Sequence, residues 1–88
     1  MNDNEKARRG ERARQLIKDP LIQESLTSLR GIVYKNIESS HYSKVDERED
    51  LYNMLQAING FESQFKKMMR DGELAKGRLE KLKDKFKR

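Results

Sequence analysis

Apolar positions recur along this chain at helical spacing, and most strongly in its second half. Leu51, Met54, Ile58, Phe61, Phe65 and Met68 step by 3, 4, 3, 4 and 3, an a/d seam of more than two heptads. Upstream, Leu21, Ile22, Leu26, Leu29, Ile32, Val33 and Ile37 supply a second helical face. The subset 22, 26, 29, 33 forms its spine, and Leu21 and Ile32 widen it. Between the two, "SSHYS" is the polar cluster long enough to be a loop.

The boundaries carry their own signals. Asp19 precedes Pro20, an N-cap followed by a proline at the first helical position, where the missing N–H is harmless. Ser43 with Asp46 resembles a capping box. Asp46, Glu47, Glu49 and Asp50 then occupy first turns in which the helix dipole favours anions. Residues 4–18 have only a thin stripe of Ala7, Ala13, Leu16 and Ile17, and Gly10 costs that segment about 1 kcal/mol of helix. A frayed helix firming toward Ile17 is expected.

These elements predict one all-α domain: an antiparallel helical hairpin of residues 20–39 and 44–71, a basic N-terminal helix over 1–18 and a basic C-terminal arm over 73–88. The second hairpin helix outruns the first, at roughly 40 Å against 28 Å for 1.5 Å per residue. Phe65, Met68 and Met69 at its far end then need cover, in part from Leu16 and Ile17 and otherwise from a second subunit. Leu51, Met54, Ile58, Phe61, Phe65, Met68 and Met69 are accordingly the candidate oligomer interface.

Gly72 decides what the tail is. The seam register continues beyond it through Ala75, Leu79, Leu82 and Phe86, and acid–base pairs at i, i+3 support helix there. Against this, "RDGEL" has the form of a helix C-terminus with a left-handed glycine and an apolar residue after it. The expectation is a kink or break at Gly72, with helix resuming in a separate arm. Gly31 and Gly60 fall off the seam and are candidates for close approach by another helix.

Charge sharpens this picture. The chain carries 20 Lys/Arg against 15 Asp/Glu, a net +5 over 88 residues. Residues 1–18 and 73–88 contribute +3 and +4, while 19–42 and 43–72 contribute −1 each. Basic ends on a near-neutral centre point to a polyanion or an acidic protein surface. The candidate nucleic-acid contacts are Arg8, Arg9, Arg12, Arg14, Lys76, Arg78, Lys81, Lys83, Lys85 and Lys87. Phosphate contacts of this kind give affinity without sequence readout. With 40% charged and 34% apolar residues, the core must be small, which favours self-association.

Catalytic chemistry finds no purchase. His41 is the one histidine, there is no cysteine, and the five glycines are scattered rather than gathered in a phosphate loop. "DERED" lacks the alternating ligands and turn glycine of a calcium loop. No enzyme activity, cofactor, metal or small-molecule substrate is expected. No apolar run approaches the ~20 residues of a membrane span, so a soluble, intracellular protein is expected.

"RARQLIKDPLIQESLTSLR", "VDEREDLYNMLQAI" and "DGELAKG" together resemble a pattern in small helical proteins of tailed phages, over roughly residues 12–76. The resemblance implies a helical hairpin with no assigned chemistry, working in the host cytoplasm or associated with the virion. Size and basic ends are also similar to small terminase subunits, which form rings and bind DNA during packaging. This chain departs from them in lacking a recognisable N-terminal DNA-binding domain. The expected function is a non-enzymatic assembly or DNA-packaging accessory, a homo-oligomer whose arms contact DNA or an acidic phage or host protein. The alternative is a small regulator or inhibitor that binds a host or phage enzyme through an exposed helix face.

Overall fold

Local capping sets where the first two helices begin. A computed structural model describes residues 1–86, as three helices with no strand among them: α1 (Asp3–Ile17), α2 (Pro20–Ser39) and α3 (Val45–Phe86). Asn2 caps α1 by accepting from the Glu5 amide at 2.8 Å. Asp19 caps α2, its Oδ1 accepting from the Leu21 amide at 2.8 Å with Pro20 opening the helix. The extended backbone of Asp19 (ψ 128°) is what a following proline imposes, and it separates α1 from α2. Gln23 spans that junction by donating from Nε2 to the Ile17 carbonyl at 2.6 Å.

The loop before α3 closes differently from the expected capping box. The Ser43 hydroxyl sits 2.6 Å from His41 Nδ1. The Arg48 guanidinium reaches back to donate to the carbonyls of His41 and Tyr42, at 2.6 and 2.7 Å. A long cation inside the first turn thus ties down the loop.

α3 runs 42 residues without interruption, about 63 Å at 1.5 Å per residue. The expected break at Gly72 does not occur: the residue is helical, and no positive φ is found among the described residues. The tail is therefore the distal half of α3, not a separate arm. Nor is the N-terminal helix an arm. α1 packs antiparallel on distal α3, α2 packs on proximal α3, and α1 and α2 meet chiefly at their junction. The result is an elongated two-layer rod of 70 × 24 × 16 Å. Its radius of gyration is 19.3 Å, where a compact chain of this length would have about 12 Å.

The buried line of α3 is shifted from the predicted one. Leu51, Leu55, Ile58, Glu62, Phe65 and Met69 are half-buried and lead to buried Gly72 and Ala75, whereas Met54 and Phe61 are about half exposed. Partner geometry makes the choice. Arg30 on the inner face of α2 pairs with Glu62 at 3.3 Å and donates to Asn59 at 3.1 Å, so α2 sits toward the 55/62 side. The buried apolar residues are Ala13, Ile17, Leu26, Val33 and Ala75. Two layers of single helices cannot enclose a side chain from every direction, so the core stays this thin.

Candidate functional site

The basic segments of the two termini share one helical pair, and glycine is what lets them meet. A Cβ built on Gly10 would lie 2.8 Å from the Cα of Gly72 and 2.9 Å from the Met68 carbonyl oxygen. One built on Gly72 would lie 2.8 Å from the Cα of Gly10 and 2.9 Å from the Lys6 carbonyl oxygen. The contact is near-symmetric, and so is the sequence around it: "GERAR" at 10–14 faces "GELAK" at 72–76. Ala13 and Ala75, three residues on from each glycine, are both buried beside the crossing. Gly31, Gly60 and Gly77 have nothing within 4 Å of such a Cβ. Close approach thus falls to Gly10 and Gly72 rather than to Gly31 and Gly60. The paired Gly-x-x-Ala spacing was the available signal.

Ion pairs fix the register of this crossing. Asp3 takes two hydrogen bonds from Arg78, 3.1 Å from Nε and 3.0 Å from Nη2. These bonds hold the Asp3 carboxyl below the usual carboxylate range and push the Arg78 guanidinium above its ordinary value. Arg14 donates to Glu73 at 2.7 Å. Two of the expected nucleic-acid contacts, Arg14 and Arg78, are thus engaged within the chain.

The rest of the set is open to solvent. Arg8, Arg9 and Arg12 on α1 are exposed, as are Lys76, Lys81, Lys83 and Lys85 on α3. None of these seven forms a salt bridge among the described residues. Lys87 lies outside the described residues. Segments some sixty residues apart in sequence therefore present their cations at one end of the rod.

The other half of the rod is two-sided. Along one edge of the α2–α3 pair, Arg30, Asn59, Glu62 and Lys66 form a polar chain, with Lys66 3.5 Å from Glu62. The opposite edge is apolar and open: Leu29, Ile32, Met54 and Phe61 are each about half exposed, and Leu21 is more so. Phe61 stacks edge-on against half-buried Phe65, with centroids 5.1 Å apart, and leaves its other face bare. Of the expected interface residues, Leu51, Ile58, Phe65, Met68 and Met69 are half-buried within the chain, while Met54 and Phe61 stay exposed.

His41 serves its own loop. Nδ1 accepts from the Ser43 amide at 3.2 Å, and the ring lies against Tyr42 with centroids 4.4 Å apart. Among the described residues no three His, Asp or Glu side chains converge on one point. No described helix is long and apolar enough to cross a membrane.

Comparison with known protein families, curated proteins and solved structures finds no match for this chain.

Proposed function

We propose that the chain is a non-enzymatic assembly or DNA-packaging accessory protein of the kind the phage resemblance implies. It acts as a self-associating helical rod whose basic end contacts duplex DNA. One observation carries this reading: α1 and distal α3 lie side by side, so Arg8, Arg9, Arg12, Lys76, Lys81, Lys83 and Lys85 share one exposed end. Duplex DNA carries one negative charge per about 1.7 Å of axis, and a protein that neutralises several phosphates with Lys and Arg releases condensed counterions on binding it. Cations without base-reading partners give affinity but little sequence preference.

The test is fluorescence anisotropy on duplex DNA across a salt series. Wild-type affinity should fall steeply between about 50 and 200 mM salt and vary little with sequence. Changing Lys81, Lys83 and Lys85 to glutamine should flatten the log–log salt slope by about 3, and Arg8→Gln with Arg12→Gln by about 2. No binding at low salt, or a slope indifferent to both sets, rejects DNA as the partner.

A further inference from the structure

The exposed surface of the chain is 7264 Å², where a compact monomer of 10.4 kDa would show about 5,400 Å². That excess, on the order of 1,900 Å², comfortably exceeds the ~800 Å² per partner of a standard protein interface. Where the excess is apolar is a matter of spacing. Leu21, Ser25, Leu29, Ile32 and Asn36 make one stripe on α2, and Asn53, Met54, Ala57, Phe61 and Gln64 one on α3. All ten are exposed, and they flank the buried seam on the side away from the Arg30–Glu62 pair. None is charged, in a chain that is 40% charged. Apolar patches of this kind mark interaction sites.

The ends of the edge say what covers it. Toward the loop the α3 stripe continues into Asp50 and Asp46, four and eight residues before Met54. Toward α1 the edge reaches a shallow groove lined by Lys6, Arg9, Lys67, Met68 and Asp71, where cations outnumber the single acid. The edge is acidic at one end, apolar in the middle and basic at the other. A surface with that order is complementary to itself turned end for end.

The geometry points to a second copy of this chain as the occupant, docked antiparallel across a twofold axis near Ala57. The Leu29, Ile32, Met54 and Phe61 clusters of the two copies then meet, and α2 and α3 of each form a four-helix layer. Each acidic end lies on the other's basic groove. The cations of α1 and distal α3 project from opposite ends of the dimer, which would let one dimer bridge two DNA segments. The inference rests on the self-association in the proposed function and names its surface. It is tested without DNA, so its failure is separable from failure of the DNA reading.

The experiment is sedimentation velocity on the full chain at low salt, with circular dichroism as a check on folding. Wild type should be dimeric at micromolar concentration, with dissociation promoted by salt. Phe61→Asp should weaken the dimer at least tenfold. Ser25→Asp and Ala57→Glu, small exposed positions on the edge, should do the same with helix content unchanged and keep the test valid if Phe61→Asp unfolds. The chain has no cysteine, so orientation can be read by disulfide trapping. A mixture of Asn53→Cys and Gln64→Cys chains should cross-link to each other in preference to like pairs. A monomer at high micromolar concentration, a dimer indifferent to Ser25→Asp and Ala57→Glu, or preferential like-with-like trapping overturns the proposal.

Discussion

Gly72 shows how one residue type can support two opposite readings. Glycine after Arg-Asp and before Glu-Leu satisfies a C-cap, yet the same residue in a helix interior costs only about 1 kcal/mol. The structure keeps it helical because Gly10 needs it there: their backbones touch where any Cβ would intrude at 2.8 Å. Gly72→Ala should therefore destabilise the protein. The propensity gain of about 1 kcal/mol is smaller than the roughly 1–3 kcal/mol of forced overpacking. Urea denaturation should show a net loss for Gly72→Ala and for Gly10→Ala. The double variant should lose less than the sum, since the first Cβ already parts the helices. Gly60→Ala is the control: exposed, helical and with nothing within 4 Å, it should gain up to about 1 kcal/mol. A stabilised Gly72→Ala would refute the close crossing.

At the scale of elements, α3 is the strut on which α1 and α2 are laid. Its pattern supports two adjacent faces: 54/61 and 55/62 are neighbouring stripes, and period alone does not choose between them. Arg30 chooses, by placing Glu62 inward. The sequence seam therefore read Leu51, Ile58, Phe65 and Met68 in common with the structure but included Met54 and Phe61 where the chain half-buries Leu55 and Glu62. The two stripes should behave differently on truncation. Leu55→Ala removes packing inside the chain and should lower the unfolding free energy from urea denaturation at every protein concentration, by roughly 2 kcal/mol. Met54→Ala should matter only at concentrations where copies associate, because association stabilises by mass action. Equal, concentration-independent losses at both positions would contradict the assignment of faces.

For the whole molecule, the thin core and the long shape are one fact. Two layers of helix spread over 70 Å leave each residue few neighbours, so most apolar side chains stop at half burial. A small chain of this kind gains stability chiefly by lengthening its contact with itself or with copies of itself. The rod should still persist when association is blocked, because α2 and α1 pack in turn along α3 as far as about Arg78, where Asp3 at the start of α1 pairs with it. Small-angle scattering on a dissociated Ser25→Asp, Ala57→Glu chain should give a radius of gyration near 19.3 Å; a value near the compact ~12 Å would mean that the rod collapses alone.

Helical content, the Asp19-Pro20 restart, the polar loop after Ser39 and the basic ends are legible from residues alone, because periodicity, capping and charge are local properties. The sequence also shows that the far end of α3 needs cover. It names Leu16 and Ile17 as part of that cover but does not show that the whole of α1 provides it. That α1 lies along distal α3, that Gly10 and Gly72 are a contact rather than two breakers, and that Met54 and Phe61 face outward all depend on which helix sits against which. Helical periodicity specifies a face to within a residue or so, and only the partner's position, through Arg30 on Glu62 and the Gly10–Gly72 approach, selects among the neighbouring faces that remain.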